Sequence, residues 1–370
     1  MRVAYDHQIF YQQSYGGISR YFSKLIAEMN ELQCEVKLFA PAHNNEYLAD
    51  LADGTLSGLR LKSYPSRARN LVKYYNTVIA KRSMIGWKPE VLHETYYSEK
   101  SIAPKECRKV ITVYDMIHEK FCDQYAGNDE LLDAKHKSIM RADHVICISE
   151  NTQRDLIDLY GIDEAKTSVV YLAVDSELIM TDGVKESGSI HLTRPYLLYV
   201  GARNSYKNFA TFVHAVSECE RLKGDFDIVF FGGGPPSDSE VKMIAGFGFN
   251  ANQVRYMSGS DDVLSTLYYR ASAFVYPSLY EGFGLPPLEA MANNCPVVSS
   301  NVSSMPEIIG DAAEYFEPLS RDSICEAIRR VVYSDTRAFE LKRLGKLRLN
   351  QYSWAKCARE THEIYQRVVG

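Results

Sequence analysis

Short apolar, β-branched runs alternate with longer stretches whose apolar residues recur every three or four positions, from one end of the 370-residue chain to the other. That alternation predicts parallel α/β sheets covered by helices, rather than a sandwich or a helical bundle. In the first half, strands are predicted at CEVKLFAP (34–41), KVITVYD (109–115) and HVICIS (144–149), with a weaker one at MRVAYD (1–6). Between them, ISRYFSKLIAEMNEL (18–32) places Tyr21, Phe22, Leu25, Ile26 and Met29 on one face of a helix. A further strand, SVVYLAVD (168–175), precedes a break in the pattern: SELIMTDGVKESGSIHLTR (176–194) is mixed, polar and glycine-containing, as a linker would be. The alternation restarts at PYLLYVGARN (195–204) and continues through DFDIVFFGGGPP (225–236), NQVRYMSG (252–259), AFVYPS (273–278) and CPVVSS (295–300). The predicted organisation is a first domain over 1–178, a linker over 179–194, a second domain over 195–350, and a last helix over 351–370 that can pack back on the first domain. Two doubly wound units of this kind bind ligands at the carboxyl ends of their strands, here in a cleft that both sheets would face.

Composition narrows the class. The chain is 46% hydrophobic and 12% aromatic with a net charge of −5, which suits an ordinary globular protein of two domains. No apolar run reaches the roughly 18 residues that a membrane-spanning helix needs. MRVAYDHQIF brings Asp6, His7 and Gln8 before a signal-type run can develop. The eight cysteines are scattered singly, with no CxxC or Cys/His cluster, which predicts no metal site and reduced thiols in a cytoplasmic protein. The acidic balance and the absence of a binding motif argue against nucleic acid. One region departs from that balance: residues 55–89 contain no Asp or Glu, while Arg60, Lys62, Arg67, Arg69, Lys73, Lys81, Arg82 and Lys88 interleave with Leu, Val, Ile, Tyr and Trp87. The stretch is either a solvated face or a basic amphipathic surface suited to an anionic bilayer or a phosphate-bearing acceptor.

Candidate chemistry gathers at the predicted strand ends. Gly16 and Gly17 stand between the first strand and the first helix, where a backbone can approach an anion closely, or simply turn. Arg203 and Lys207 follow the strand that ends at Gly201; a guanidinium fork and a mobile ammonium suit a diphosphate, although surface cations are often only solvated. Gly232, Gly233 and Gly234 follow DIVFF as the floor of a nucleotide site or as a bare turn, without the G-x-G-x-x-G spacing of a dinucleotide fold. In YPSLYEGFGLPPLEAMANNCPVV (276–298), Ser278 and Glu281 match a helix capping box by spacing, but Gly282, Gly284, Pro286 and Pro287 follow at once. Glu289 is expected in the first turn of the next helix, where it complements the dipole; alternatively both carboxylates accept hydrogen bonds from the vicinal diols of a sugar and a ribose. Asp115 and His118 follow KVITVYD, as a turn cap and a structural histidine or as site residues. Ser149 reads as the N-cap of the helix that follows HVICIS.

These residues resemble a known family, the retaining glycosyltransferases of family 4 (group 1) with GT-B architecture. The resemblance rests on YPSLYEGFGLPPLEAMANNCPVVSSNVSSMPEIIGDAAEYFEP, YVGARNSYKNF, VRYMSGSDDVLSTLYYRASAFVYPS and YGGISRYF. It implies two Rossmann-like domains, with Glu281 on the donor sugar, Glu289 on the nucleotide ribose, and Arg203 and Lys207 on the donor diphosphate. It also implies that Gly16, Gly17 and the backbone of Phe283, Gly284 and Leu285 approach the donor, that Gly233 lines the site, and that Met257 and Ser258 lie at the base. Many members carry His-Asp where this chain has Tyr114-Asp115, so the roles of Asp115 and His118 stay open between the transferred sugar and the acceptor. The implied reaction is metal-independent transfer of a hexose with retention. YDHQIFYQQSYGGISRYF resembles bacterial members that build surface polysaccharides such as O-antigen or capsule, which implies GDP-mannose as donor, a UDP-hexose next. The acceptor would be a lipid-diphosphate-linked glycan at the inner face of the plasma membrane. A nucleotide-sugar epimerase and a non-catalytic sugar-nucleotide-binding protein are the other readings of the same fold.

Overall fold

The computed structural model describes the chain except residues 63, 125, 126, 128, 175–191, 204 and 251. Most of the expected linker, 179–194, therefore lies outside the described residues. The chain divides into two compact units: Met1–Leu172 together with Trp354–Gly370, and Ala173–Ser353.

In the first unit seven described strands form one parallel sheet: β1 (Arg2–Tyr5), β2 (Glu35–His43), β3 (Leu56–Arg60), β4 (Val91–Glu94), β5 (Arg108–Val113), β6 (His144–Cys147) and β7 (Thr167–Val169), in the order β3-β2-β1-β4-β5-β6-β7. Helices α1 (Gly17–Asn30), α2 (Arg69–Trp87), α3 (Ile117–Lys120), α4 (Asp129–Arg141) and α5 (Glu150–Tyr160) connect them, and the last helix of the chain, here α14 (Trp354–Val369), packs on α1. The predicted apolar face of α1 is the buried one, Tyr21, Phe22, Leu25, Ile26 and Met29. Ser149 caps α5, its hydroxyl accepting from the Thr152 amide at 3.0 Å.

The second unit repeats the plan with six described strands: β8 (Tyr196–Val200), β9 (Asp227–Phe231), β10 (Val254–Met257), β11 (Ala273–Tyr276), β12 (Val297–Ser300) and β13 (Ala313–Phe316), in the parallel order β10-β9-β8-β11-β12-β13. Its helices are α6 (Phe209–Glu218), α7 (Glu220–Asp225), α8 (Asp238–Gly246), α9 (Asp261–Arg270), α10 (Leu285–Ala292), α11 (Met305–Ile309), α12 (Arg321–Val332) and α13 (Asp335–Leu349). Both units are thus doubly wound, Rossmann-like sheets. The strand order reverses between β1 and β4 in one and between β8 and β11 in the other, which is where such sheets open a crevice at their carboxyl ends.

Three strands escape the sequence pattern: β3, β4 and β13. β4 is fully buried yet carries His93 and Glu94, and β3 is short and contains Gly58. A Cβ on Gly58 would stand 1.8 Å from the Ala40 carbonyl oxygen, beside the irregularity in β2 between Phe39 and Ala42, so only glycine fits this pairing.

Candidate functional site

In the second unit the loops after β8, β9, β10 and β11 converge at the switch point. Lys207, after β8, reaches Glu281, after β11, with Nζ 2.7 Å from Oε1 and 2.9 Å from Oε2. The Leu279 amide donates to the Tyr206 carbonyl at 2.7 Å, so the same two loops are also joined through their backbones. Glu281 is nearly buried, and its neighbours Tyr276 and Tyr199 hold their phenols far above the usual range, through burial first and the adjacent Glu281 charge second. A cation and a carboxylate removed from water in this way attract strongly and are costly to separate without a replacement partner.

Arg203 lies on the Phe230 ring, 4.7 Å from its centroid, with its side chain almost wholly buried. Its Nε donates to Glu240 at 2.6 Å, and its terminal nitrogens donate to the carbonyls of Gly232 (3.1 Å), Gly234 (3.0 Å) and Pro235 (3.2 Å). Burial works to raise the Glu240 carboxyl, but Arg203 and the Ser237 capping box outweigh it and hold the group below its ordinary value. Arg203 therefore staples the glycine loop. Gly233 has φ +70°, and a Cβ there would stand 2.9 Å from both the Ala202 Cα and the Gly201 oxygen, so this close crossing of two strand-end loops excludes a side chain. The Gly232 amide donates to the Met257 carbonyl at 3.2 Å, which brings the end of β10, with Met257 and Ser258, onto the same loop.

No helix starts at Ser278, so Glu281 is no capping-box partner; the Ser278 hydroxyl is buried without a hydrogen-bond partner among the described residues. Gly284, at φ +110°, is the N-cap of α10, followed by Leu285, Pro286 and Pro287. Glu289 was expected in the first turn, but proline is tolerated in that turn and the helix begins at Leu285, which moves Glu289 into the second turn. There it accepts a hydrogen bond from the Tyr268 hydroxyl at 3.3 Å. Sequence reading missed the supports beneath this loop. Ser303 and Ser304 donate to the Glu281 carbonyl at 2.8 and 2.9 Å, and Ser304 also reaches the Phe283 carbonyl at 2.9 Å. The serine run in SSNVSSMPE after β12 was the available signal.

In the first unit, Asp115 and His118 line one small pocket of ≈ 40 Å³ with Ile18, Tyr96, Tyr97, Tyr114 and Lys135. Asp115 Oδ1 accepts from the Ile117 amide at 3.0 Å, and the Tyr114 hydroxyl is buried without a hydrogen-bond partner among the described residues. Burial, and then the Asp115 charge, raise the phenols of Tyr96 and Tyr97. Ile18 belongs to the first turn of α1, so the structure brings Asp115 and His118 to the helix start that Gly16 and Gly17 form. The Gln13 side chain serves that start, accepting from the Ser19 amide at 3.3 Å. At the switch point itself, Asp6 is buried and accepts from the Thr95 amide (3.0 Å) and hydroxyl (2.6 Å), bridging the ends of β1 and β4. Burial first, and then Glu94, push its carboxyl up to about 7.

A family model described as Glycosyltransferase Family 4 matches residues 15–178, and one described as Glycosyl transferases group 1 matches residues 182–347. The chain is 25% identical over 366 residues to O-antigen chain mannosyltransferase B of Escherichia coli, covering 95% of this chain and 96% of that protein. It is 29% identical over 272 residues to O-antigen chain mannosyltransferase RfbU of Salmonella typhimurium, covering 73% of each. Among solved structures it is similar to sucrose-phosphate synthase from Thermosynechococcus elongatus, with a TM-score of 0.75 at 17% identity over 100% of this chain and 99% of that one. It is also similar to Anabaena HepE in complex with UDP and glucose, with a TM-score of 0.73 at 14% identity over 99% of each chain.

Proposed function

The chain belongs to the GT-B glycosyltransferases, and from that premise we propose that it transfers a hexose, mannose first, with retention from a nucleotide sugar to a hydroxyl of a growing, lipid-linked bacterial glycan such as O-antigen or capsule. The observation that carries this reading is the Lys207–Glu281 pair across the switch point of the second unit, 2.7 Å apart and shielded from water. A diphosphate entering this crevice offers Lys207 a second anionic partner and leaves Glu281 able to accept from the sugar hydroxyls. Arg203 holds the glycine loop in the shape that admits the diphosphate and adds its own charge. Glu289, half-buried beside Tyr268, takes the ribose diol. Gly233, Met257, Ser258 and the backbone of Phe283, Gly284 and Leu285 form the remaining walls, and Gly16 and Gly17 bring the start of α1 to the diphosphate.

Departure of the diphosphate builds positive charge on the sugar, as in other oxocarbenium-like transition states. No second carboxylate is assigned as nucleophile; the departing phosphate oxygen accepts the acceptor proton on the same face. Lys207, Arg203 and the helix starts stabilise the charge that develops on the leaving group, so this reading relies on protein cations rather than a metal. GDP-mannose is the proposed donor, since the O-antigen relatives are named mannosyltransferases, and a UDP-hexose is the second choice.

The acceptor's lipid and a peripheral contact with the inner membrane face are proposed from α2. Its buried stripe is narrow, Asn76, Ala80 and Met84, while Leu71, Tyr74, Tyr75 and Ile85 are exposed among Lys73, Lys81, Arg82 and Lys88. A basic surface with exposed aromatic and aliphatic side chains suits an anionic bilayer. No helix among the described residues is long and apolar enough to cross a membrane.

The test begins with thermal shifts against GDP, UDP, ADP and dTDP and their hexose derivatives, because a ligand that binds the native state raises Tm by mass action. A shift selective for GDP and GDP-mannose is expected, followed by α-configured product on a lipid-linked acceptor. Inverted product would overturn retention, and donor binding without turnover on any acceptor would favour a non-catalytic binding protein. Replacing Lys73, Lys81 and Arg82 with Glu is expected to abolish flotation with anionic vesicles; unchanged flotation would remove the membrane contact.

A further inference from the structure

At the wall of the pocket that holds Asp115 and His118 stands an ion pair that no part of the proposed transfer uses, its lysine in the lining. Lys135, on α4, is only 2% exposed. Its Nζ donates to the Asp115 backbone carbonyl at 2.6 Å and lies 2.8 Å from Glu119 Oε1 and 3.0 Å from Oε2. Glu119 sits on α3, one residue beyond His118, and its Oε1 also accepts from the Tyr160 hydroxyl of α5 at 2.6 Å. Lys135 and Glu119 thus hold the two candidate residues from both sides, one through the Asp115 carbonyl and the other through the helical turn that carries His118.

Stability is a poor reason to keep such a pair. Burying two charges carries a desolvation penalty that their attraction barely offsets, and apolar pairs of similar size often serve stability as well or better. What an apolar pair cannot do is hold a backbone carbonyl at hydrogen-bond distance. We infer that Lys135, backed by Glu119 and Tyr160, is a positioning residue that fixes Asp115 and His118 against the bound sugar or acceptor. The inference rests on the proposed transfer and on the placement of Asp115 and His118 at the transferred sugar or the acceptor, which the family resemblance implies. Lys135 acts through them, its ammonium being taken up by the Asp115 carbonyl and Glu119.

The test is the double replacement Lys135→Met with Glu119→Met, which removes both charges together and leaves neither buried alone. Nucleotide affinity and the fraction of molecules that bind nucleotide are expected to match the parent, because the double replacement alters none of the residues proposed to hold the base, the ribose or the diphosphate. The turnover per nucleotide-binding site, at saturating donor and acceptor, is expected to fall about 10- to 100-fold, the scale of an ångström-sized misplacement. Lys135→Arg, which keeps a cation able to donate to both partners, is expected to stay within about fivefold of the parent. A folded double variant with parental turnover overturns the inference. If the double variant does not fold, Tyr160→Phe decides, since it removes one support from Glu119 without burying a charge: a turnover loss of about threefold or more with unchanged nucleotide affinity supports positioning, and no loss overturns it. Asp115→Ala separates the two layers. If it transfers at the parental rate, the placement of Asp115 falls and the inference with it; if it is inactive while the double variant is not, only the inference falls.

Discussion

Beneath the first sheet, His93 on β4 reaches Tyr365 of α14 at 2.6 Å and Thr112 of β5 at 2.8 Å; Tyr365 in turn meets the Tyr5 hydroxyl of β1 at 3.1 Å. The corresponding layer of the second unit is Tyr199, Phe209, Phe212, Phe230 and Val275, with Leu222, Ile324 and Ile328 around them. Among the described residues all three buried histidines, His7, His43 and His93, lie in the first unit. Its switch point is closed by Asp6 on Thr95, while that of the second unit holds a cation against a carboxylate. One topology therefore hosts two interiors. The first carries histidines inside its core, and the second keeps this layer free of them, with its buried carboxylates at Glu281, against Lys207 in the crevice, and at Asp227, against Arg194 and Arg255 at the start of β9. The contrast locates pH sensitivity in one unit and anion chemistry in the other.

The contrast fails most visibly if Glu281 is dispensable. Glu281→Gln is expected to lower transfer by at least about 10²-fold, close to 2.7 kcal/mol of transition-state stabilisation, while nucleotide affinity changes less than tenfold. Steady-state kinetics with isothermal titration would check both, and equal losses in each would make Glu281 a simple binding group.

Acid should separate the units next. Burial lowers His7 and His93 to about 3 and His144 to about 4, so the folded first unit keeps them neutral while the unfolded chain protonates them near 6.5. The unfolded state then binds more protons, and stability falls as pH drops from about 6.5 towards 3 to 4. Hydrogen exchange at pH 4.5, corrected for intrinsic rates, should show protection lost first from β1, β4 and β5, with β8, β9 and β11 still protected. Loss of both together would mean that the polar interior does not govern acid unfolding.

Gly233→Ala forces a side chain into the crossing of the two strand-end loops at positive φ, and is expected to cost about 1–3 kcal/mol. Nucleotide binding should weaken with it, while the stability of the first unit is untouched. Urea unfolding and nucleotide titration would read the two effects separately.

The smallest expected effect is the most specific to the first unit. Asp6 is raised to about 7 from an ordinary 3.8, so the folded state holds its proton and that contribution to stability is lost as pH rises from about 4 to 7. It opposes the histidines. Asp6→Asn keeps an acceptor for Thr95 and removes that opposition, so stability measured by urea between pH 4.5 and 7 should rise more steeply with pH in the variant. A shallower profile would show that Asp6 is charged in the folded state.

The second unit was more legible than the first, and its residues explain the difference. β8, β9, β11 and β12 are buried on both faces, so they carry the apolar runs YLLYV, IVFF, AFVY and VV, each followed by Gly, Pro or Ser. β4 was illegible because its polar residues are buried against partners distant in sequence: His93 against Tyr365 and Thr112, and Glu94 against Arg141 at 2.7 Å. β3 was hidden because its glycine answers an irregularity in β2 that no local pattern records.

The sequence by itself determined the two alternating units, the apolar face of α1, the N-cap at Ser149, and which strand ends carry Arg203, Lys207, Glu281, Glu289, Asp115 and His118. These follow from periodicity and from turn residues, which act over a few positions along the chain. Only the tertiary structure decided that Arg203 is spent on Glu240 and the glycine loop, that Lys207 meets Glu281, that Glu289 stands in a second turn against Tyr268, and that Lys135 reaches back to Asp115. Each joins residues that the sheet order, not the sequence spacing, makes neighbours. A hydrogen bond forms only within about 3 Å, and a chain folded through parallel crossovers sets that distance between residues that are 20 to 74 positions apart.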